Sequence, residues 1–436
     1  MKILLTMNLP YAPAVGGANK CNRVLAEGLA LRGHDVRVVV PALGVPSRVT
    51  REEMLAGLEA QGIAVERGGG VDAFRVNGAL VSAVAEPSRL RGELTDRLRD
   101  FRPDWALVSS EDPSQNLLDA ALKADAAPIA YLAHTPAFLP FGPQSFYPSE
   151  RRGRMLAQAA GVVTVSRYVA DYIGRWGGLG AEVYSFPLYG TGPFPDYGSG
   201  PRGEGFVTMI NPCAIKGISI FLALARSMPG VPFAAVPTWG TTPEDKEALA
   251  ALPNVTLLEP QEDIDRIFAR TRVLLMPSLW QEAFGVTAVE AMLRGLPVLA
   301  SDVGGLPEAK LGTDLVLPVR PIERYTDRLD GNEVTVPEVP EQDAAPWQDA
   351  LSRLLSDRGF YAGQSREARE EAHRFVAGLG IEPFEEILAR LGAKGRRSAV
   401  PAGPKPSGEG AAGGLDGLTP EQRALLMLRL RKQGGG

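Results

Sequence analysis

Two glutamates, Glu282 and Glu290, lie eight positions apart in residues 276–301, between two apolar runs of the sequence. Apolar side chains at helical spacing from about Gly285 to Arg294 predict a helix between two buried strands. The amide groups that begin this helix would face the mouth of a parallel sheet, where unsatisfied N–H donors and the helix dipole favour a diphosphate. Taken singly, Glu282 could be only a charged residue before a helix, and Glu290 could be only a solvated residue on its surface.

The whole string resembles the E-x7-E signature of family 4 glycosyltransferases. An E-x-F-G loop, a helix ending in E-A-M, a G-x-P-V segment and a D-x-G-G-x-x-E segment all occur between Glu282 and Glu308. Over roughly residues 1–390, the resemblance implies an α/β protein of the GT-B architecture, with two facing Rossmann-like domains and an interdomain cleft. It also implies a retaining transferase that uses a nucleotide sugar.

The resemblance further implies roles for particular side chains. Glu290 would accept hydrogen bonds from the donor's ribose, and Lys216 would neutralise the diphosphate while the glycosidic bond breaks. Glu282 would orient the sugar without acting as a nucleophile, and the acceptor hydroxyl would approach on the face of the leaving group. The implied catalytic residues are Glu282, His134 and Lys216. The implied donor-binding residues are Gly16, Gly17, Asn211, Lys216, Glu282, Phe284, Gly285, Val286 and Glu290.

Gly16 and Gly17 follow the first predicted strand and open a helix. A pair of glycines is often only a turn. Here it matches the family's first glycine loop, in which missing side chains let backbone amides approach the donor diphosphate or the acceptor.

His134 lies at the end of the predicted strand PIAYLAH. A lone histidine is more often a satisfied polar residue than a catalytic one. The family commonly carries a histidine at this strand end, in contact with the sugar's primary hydroxyl or a phosphate, so His134 is expected in the site.

Lys216 and Gly217 match the family's K-G pair, but Asn211 stands where an arginine is usual. An ammonium still offers a charge-assisted bond to phosphate, whereas an amide cannot replace the fork of a guanidinium. Either another arginine compensates or donor binding is weaker or altered in geometry. Lys216 could also be only a solvated residue at a helix start.

Asp263 and Asp265 superficially resemble the D-x-D metal motif of other sugar transferases. Their context is the first turn of an amphipathic helix, where acidic residues are favoured. The sequence has no other dense cluster of carboxylate, histidine or cysteine ligands. We therefore expect no metal and no cofactor, with the nucleotide sugar as a substrate.

The composition indicates a two-domain enzyme. The chain has 436 residues, 45% of them hydrophobic, and a net charge of −5. It is too long for one ordinary core, and its charge does not favour nucleic acid as a partner. No apolar run has membrane-spanning length, and the short basic cluster at 151–154 is more simply a solvated face than a membrane-docking surface. The two cysteines lack metal spacing, which suits a reducing cytoplasm.

Strands and helices alternate along the chain, which favours parallel α/β layers. A Pro/Gly-rich segment divides two such sets. The sequence predicts a first domain at 1–187, a linker at 188–202, a second domain at 203–370 and closing helices at 371–392. Ligands in open parallel sheets bind at the carboxyl ends of strands, so the cleft between the domains is the expected site.

The tail carries a separate signal. Residues 393–417 are rich in Gly, Pro and Ser and are predicted to be a disordered linker. Residues 418–433 predict an amphipathic helix with a capping box. That helix could dock on its own protein. It also resembles linker segments of nonribosomal peptide synthetases, which would imply a natural-product tailoring enzyme with an assembly-line partner.

The sequence leaves the sugar, the base and the acceptor open. UDP-sugars are the first choice of donor because they are common in the family, and GDP-sugars come next. A sugar phosphorylase or an epimerase of the same fold is an alternative enzyme. A catalytically weak interaction module is the alternative outside enzymes, for which Asn211 is the only hint.

Overall fold

The computed structural model describes residues 1–13, 16–44, 50–198, 205–329 and 335–395. The chain is divided into two compact units. The first comprises Met1–Leu188 together with the described residues from Leu379 onward, and the second comprises Tyr189–Gly378.

The first unit is built on a nine-stranded sheet. Its strands are β1 (Lys2–Thr6), β2 (Asp35–Pro41), β3 (Val65–Arg67), β4 (Val71–Val76), β5 (Ala79–Val84), β6 (Trp105–Ser109), β7 (Ile129–Ala133), β8 (Gly161–Thr164) and β9 (Ala181–Val183). Its helices up to the unit boundary are α1 (Gly17–Leu31), α2 (Arg51–Ala60), α3 (Leu90–Phe101), α4 (Asn116–Ala124), α5 (Glu150–Leu156) and α6 (Arg167–Gly177).

The strand order of this sheet is β3-β4-β5-β2-β1-β6-β7-β8-β9. All neighbouring pairs are parallel except those of β4, which runs antiparallel to both β3 and β5. The chain leaves β1 toward β2 on one side and leaves β6 toward β7 on the other. The direction of winding therefore changes between β1 and β6, which makes their carboxyl ends a topological switch point.

The second unit contains a six-stranded parallel sheet and a two-stranded antiparallel one. Its strands are β10 (Phe206–Ile210), β11 (Phe233–Val236), β12 (Val255–Leu257), β13 (Thr271–Met276), β14 (Val298–Ser301), β15 (Val316–Leu317), β16 (Tyr325–Leu329) and β17 (Thr335–Pro337). Its helices are α7 (Ile218–Ser227), α8 (Pro243–Ala250), α9 (Asp265–Phe268), α10 (Val286–Leu293), α11 (Leu306–Ala309), α12 (Ala345–Ser356) and α13 (Arg358–Ala377).

The larger sheet of the second unit has the order β12-β11-β10-β13-β14-β15. Its switch point lies between β10 and β13, since the chain winds toward β11 from one and toward β14 from the other. Buried side chains cover both faces, with Phe221 and Trp347 in one core cluster and Val289 and Met292 in the other. Burial on both faces explains why these strands are short continuous apolar runs in the sequence.

The last described element is α14 (Glu382–Gly395), which belongs to the first unit. Phe384, Leu388 and Leu391 of this helix lie in the same core cluster as β1 and α1. The predicted range of closing helices, 371–392, therefore spans two different elements: residue 371 lies inside α13 of the second unit.

Part of the predicted linker is a packed portion of the second unit. Arg369 of α13 donates hydrogen bonds to the carbonyls of Phe194 and Pro195, each at 3.0 Å, and the amide of Tyr197 donates to the carbonyl of Arg294 at 2.8 Å. Residues 393–395 lie in α14, whereas 396–417 of the predicted tail linker and the helix predicted at 418–433 lie outside the described residues. Within the described ranges, no helix has the length and apolar character needed to cross a bilayer.

Candidate functional site

Glu282 lies in the loop between β13 and α10, at the switch point of the second unit. The amide of Gly305 donates to the carbonyl of Glu282 at 2.7 Å, and the amide of Gly304 donates to Gln281 Oε1 at 2.9 Å. A Cβ on either glycine would collide with the backbone of residues 281–284. The two glycines therefore let one loop lie directly on the other, which fixes the backbone that carries Glu282.

Lys216 reaches the same place from the loop after β10. It ends a short 3-10 turn, and its ammonium forms an ion pair with Glu282 Oε1, which also accepts a 3.0 Å hydrogen bond from the Ser278 hydroxyl. Gly217 follows with a φ of 83°, and a Cβ there would collide with the Pro277 carbonyl. The structure thus brings together two sequence-predicted residues that are 66 positions apart.

Helix α10 begins directly after that loop. Gly285 precedes it with a φ of 123°, and Val286 is its first residue. Ala288, Val289 and Met292 are buried, so the apolar face predicted from the sequence anchors the helix. The Ala288 amide donates to the Gly285 carbonyl at 3.0 Å, but Gly285 has no side chain to cap the helix, so the amides of the first two residues, Val286 and Thr287, are suited to another acceptor. The ring of Phe284 packs 6.0 Å from that of Phe375.

Glu290 is partly buried in the second turn of α10, and its backbone carbonyl accepts a 2.9 Å hydrogen bond from Arg294 Nη1. The same guanidinium donates to Asp265 through Nη2 at 2.9 Å and holds the pKa of that carboxyl below its usual range. Asp265 therefore neutralises Arg294 inside the unit. Across the described ranges, no group of three or more His, Cys, Asp or Glu side chains could hold a metal ion.

Asn211 begins the loop that ends at Lys216, and its side chain makes a hydrogen bond within the second unit. Its φ is 58°, its side chain is buried, and its Oδ1 accepts a 3.0 Å hydrogen bond from the amide of Gly240. Its Nδ2 is buried without a partner. Asparagine is enriched in this left-handed backbone region, where arginine is uncommon, so the backbone conformation itself gives a reason for the residue type.

The remaining predicted site residues lie in the first unit. Gly16 and Gly17 are exposed at the start of α1, and among the described residues a Cβ on either would meet no atom within 4 Å. Only Gly16 has a positive φ, at 82°. The space in front of these glycines is open in the protein itself, which leaves room for a ligand close to the backbone.

His134 is buried at the carboxyl end of β7. Its Nε2 lies 2.9 Å from Asn22 Oδ1 of α1, and its backbone amide donates to the Ser110 hydroxyl at 3.0 Å. Its Nδ1 is buried and has no hydrogen-bond partner in the part of the chain that the structure describes. Burial lowers the pKa of His134 to about 3, so the imidazole is neutral at physiological pH.

The sequence analysis missed Glu111, which follows β6 at the switch point of the first unit. Its Oε1 accepts a 3.5 Å hydrogen bond from the Ser110 hydroxyl, and burial raises its pKa to about 7. A signal was present in the sequence, because Glu111 comes directly after the short, largely apolar segment DWALVSS. The rule that selected His134, a polar residue at a strand end, applies equally to Glu111.

Family models match both halves of the chain. The model described as Glycosyltransferase Family 4 matches residues 15–184, and the model described as Glycosyl transferases group 1 matches residues 205–357. The first match includes Gly16, Gly17 and His134, and the second includes Lys216, Glu282 and Glu290.

Among characterised proteins, the chain is similar to D-inositol 3-phosphate glycosyltransferases. It is 32% identical to that of Salinispora arenicola over 152 residues, which are 33% of this chain and 29% of that protein. It is 33% identical to that of Mycobacterium marinum over 183 residues, which are 39% of this chain and 34% of that protein. The aligned stretches thus span about a third of the length of these relatives.

Solved structures share the fold along nearly the whole chain. Anabaena HepE in complex with UDP-glucose has a TM-score of 0.59 at 17% identity, covering 90% of this chain and 100% of that one. TarM has a TM-score of 0.60 at 11% identity, covering 89% and 98%. The chain has the GT-B glycosyltransferase fold, and the fold class expected from the sequence is confirmed.

Proposed function

We propose that this chain is a glycosyltransferase that moves a sugar from a nucleotide-sugar donor to a hydroxyl group of an acceptor, with retention of the anomeric configuration. UDP-sugars are the preferred donors in this proposal and GDP-sugars are the next choice. The solved complex of HepE with UDP-glucose supports a UDP-sugar as the first donor to test.

One observation carries the proposal. At the switch point of the second unit, the Lys216 ammonium, the Glu282 carboxylate and the start of α10 are brought together by two loops that glycines allow to touch. A cation and free helix-start amides are complementary to a diphosphate, and a fixed carboxylate beside them is complementary to sugar hydroxyls.

The roles follow from this chemistry. Lys216 and the first-turn amides of α10 would stabilise the negative charge that grows on the diphosphate as it leaves. Glu282, held by Lys216 and Ser278, would orient the sugar, and Glu290 would bind the ribose hydroxyls. In the first unit, neutral His134 would accept a hydrogen bond through Nδ1. The departing phosphate would take the proton of the acceptor hydroxyl.

The test combines donor binding with turnover. A thermal-shift screen of nucleotide sugars identifies the donor, since a ligand at 100 times its dissociation constant adds about 2.7 kcal/mol of stability. Nucleotide release is then measured over an acceptor panel that includes D-inositol 3-phosphate. We expect Glu282→Gln to abolish most turnover and Glu370→Gln, on the exposed surface of α13, to leave it unchanged. Equal rates for both variants would remove Glu282 from the site.

Two further measurements bear on the mechanism. Retention is checked by NMR of the product anomer, and an inverted product would refute it. Independence of metal ions is checked with EDTA, because Lys216 and backbone amides are proposed to supply the positive charge. A loss of activity that magnesium reverses would contradict that part of the proposal.

The alternatives remain distinguishable by experiment. Release of a sugar 1-phosphate that requires inorganic phosphate would indicate a phosphorylase. Nucleotide binding without turnover would indicate an interaction module, but the left-handed backbone at Asn211 accounts for that asparagine without loss of function. A cytoplasmic natural-product role, with an assembly-line partner bound by residues 418–433, rests on sequence alone and is testable by binding assays on a chain truncated at residue 395.

A further inference from the structure

Trp239 is the most exposed of the five tryptophans of the chain, with 64% of its surface accessible to solvent. It lies in the turn that follows β11, at the carboxyl edge of the parallel sheet of the second unit. An exposed indole leaves a large apolar surface in water, which is unfavourable compared with burial. A flat aromatic ligand that covered the indole would remove this surface from water.

Hydrogen bonds fix the turn that carries Trp239. The Thr241 amide donates to the Thr238 carbonyl at 3.2 Å, and the Thr238 amide donates to the Thr241 hydroxyl at 3.2 Å. Thr241 is buried, and Thr242 forms a capping box with Asp245 at the start of α8. The indole is therefore attached to an ordered backbone, so little conformational entropy would be lost in that backbone when a ligand binds.

The same turn packs against the loop that carries Lys216. Ile210 and Val236 are the last residues of β10 and β11 and are paired in register, so the two loops begin side by side. The Gly240 amide donates to Asn211 Oδ1 at 3.0 Å, and a Cβ on Gly240 would lie 3.0 Å from the same oxygen. The exposed indole is thus adjacent in sequence to a contact with the loop that is proposed to bind the diphosphate.

The strand order indicates which part of the donor would reach Trp239. β10 lies between β11 and β13, so the Lys216 loop lies between the Trp239 turn and the loop of Glu282. In a nucleotide sugar, the diphosphate likewise lies between the nucleoside and the sugar. With Lys216 at the diphosphate and Glu282 at the sugar, the nucleoside would extend toward β11. Its base is the flat aromatic part of the donor.

The position of Glu290, proposed to bind the ribose, agrees with this direction. Glu290 and Arg294 are four residues apart on α10 and therefore share a helix face. Arg294 donates to Asp265 of α9 at 2.9 Å, and α9 follows β12, the strand beyond β11. The face of α10 that carries Glu290 is thus the one turned toward the β11 and β12 side of the sheet.

We propose that Trp239 stacks on the nucleobase of the donor, and that it adds affinity for a nucleotide without selecting one base. This inference rests on the proposed function and names a side chain that would hold the nucleoside. Every base presents an aromatic face, so stacking tolerates any of them, whereas selection needs hydrogen bonds to the base edge. Tryptophan has one N–H donor and no acceptor, which is too little to distinguish base edges.

The experiment compares ligands that contain a base with one that lacks it. UDP, GDP and inorganic pyrophosphate are titrated calorimetrically into wild type, Trp239→Ala and Trp239→Phe. We expect Trp239→Ala to bind UDP and GDP about fivefold or more weakly, because an aromatic side chain stacked on a base contributes at least that factor. Pyrophosphate affinity should stay unchanged. Trp239→Phe keeps an aromatic face and should retain most of the affinity for both nucleotides.

The matched control is Trp176→Ala, because Trp176 is also an exposed tryptophan, at 45%, and lies on α6 of the first unit. It should bind all three ligands as wild type does. Tryptophan fluorescence gives an independent measurement, in which UDP should quench wild type more strongly than Trp239→Phe. Quenching that remains in Trp239→Phe would come from Trp280, which is partly buried two residues before Glu282.

Several results would overturn the inference while leaving the proposed function in place. Unchanged UDP affinity in Trp239→Ala, or equal quenching in wild type and Trp239→Phe, would place Trp239 outside the nucleotide site. A raised KM for the acceptor alone would assign the indole to the acceptor. An equal loss for pyrophosphate would mean that the substitution disturbs the Lys216 loop. A loss for one nucleotide only, although wild type binds both, would show that Trp239 selects the base.

A different result bears on the proposed function itself. If neither UDP, GDP nor any nucleotide sugar bound wild type, both the proposed function and the role of Trp239 would be refuted. Binding of UDP to wild type with a selective loss in Trp239→Ala supports both.

Discussion

The two units place a carboxylate at the same topological position and treat it in opposite ways. Glu282 follows β13 and Glu111 follows β6, and each strand borders the switch point of its own sheet. Glu282 is paired with the Lys216 ammonium of its own unit, whereas burial without a cation raises the pKa of Glu111 to about 7. Glu282 is paired with a cation of its own unit, whereas among the described residues the Glu111 carboxyl receives a hydrogen bond from the Ser110 hydroxyl.

The glycines near these sites also differ between the two units. Gly217, Gly304 and Gly305 are required by the protein itself, because a Cβ at each would collide with neighbouring backbone. Gly16 and Gly17 face open space. The loops around Glu282 in the second unit are therefore packed against one another, whereas the described residues of the first unit leave the start of α1 open at Gly16 and Gly17. Preorganised charge in the former suits the bond-breaking step, since fixed groups need not reorganise as charge develops.

The largest expected effect concerns the paired carboxylate. Lys216→Met removes the cation proposed to stabilise the leaving diphosphate, so we expect kcat to fall by roughly 10²- to 10³-fold, in the range of one lost oxyanion donor. The measurement is nucleotide release at saturating donor. Lys246→Met on α8 is the exposed control and should keep wild-type activity. An active Lys216→Met enzyme would mean that Lys216 only neutralises Glu282.

The second prediction concerns the unpaired carboxyl and uses stability against pH. The folded-state pKa of Glu111 is raised from 4.5 to about 7, so its contribution to folding is fully present below pH 4.5 and is lost as the pH rises through about 7. Glu111→Gln cannot ionise. We expect it to be more stable than wild type at pH 8.5, by roughly 3 to 4 kcal/mol at 1.36 kcal/mol per pKa unit, and to lose this advantage near pH 4.5.

Three groups near Glu111 do not titrate in that window: burial raises the pKa of Cys21 on α1 and of Tyr131 on β7, and the pKa of His134 is about 3. Asp112 accepts a 2.7 Å hydrogen bond from the Leu117 amide in the first turn of α4. Arg152 interacts electrostatically with Asp112 and Tyr131, and an arginine stays charged throughout. Thermal unfolding of wild type, of Glu111→Gln and of the exposed control Glu86→Gln across pH checks the prediction. If the difference between the first two proteins did not vary with pH, the pKa of Glu111 would be the same in the folded and the unfolded protein.

The same contrast explains what the sequence could predict. The helix predicted from about Gly285 to Arg294 is present as Val286–Leu293, because a run of apolar positions at helical spacing is local information. Lys216 and Glu282 were each predicted as site residues through a motif, but their ion pair was not predicted. The hydrogen bonds that join Asn22, Ser109 and His134 near Glu111 were not predicted either, since these residues come from three separate segments. They depend on β6 lying between β1 and β7, which no local pattern specifies.

Other elements were missed for related reasons. The antiparallel hairpins formed by β3, β4 and β5 lie in a stretch where the sequence analysis assigned no element, and strand direction depends on tertiary pairing. Helices α13 and α14 follow one another in the chain but belong to different units. Unit membership follows from which core a helix packs against, and amphipathicity alone does not reveal that core.

A third, smaller effect is expected at Glu290. Its proposed ribose contact exists in both the ground state and the transition state, so Glu290→Ala should raise the donor KM by about tenfold or more and change kcat little. Glu370→Gln again serves as the exposed control. Unchanged donor affinity, measured by calorimetry with UDP, would take Glu290 out of the nucleotide site.

The smallest effect is expected at Asn211, where the sequence alone left open whether another arginine compensates or donor binding is weaker or altered in geometry. If the diphosphate pocket merely lacked a cation, arginine would tighten the binding of the nucleoside diphosphate. The structure adds a cost, because residue 211 has a φ of 58°, is buried, and holds the Gly240 amide through Oδ1. A left-handed backbone costs an ordinary residue roughly 1 to 2 kcal/mol. We therefore expect the Asn211→Arg protein to be less stable than wild type by about that amount and to bind UDP no more tightly. Asn211→Gly accepts this φ but loses the side-chain amide, so its stability should lie between those of Asn211→Arg and wild type. Calorimetric titration of UDP and thermal unfolding of both variants separate the cases. Tighter UDP binding by Asn211→Arg would show that the backbone at residue 211 can change its conformation and that the second unit can accept a second phosphate-binding cation.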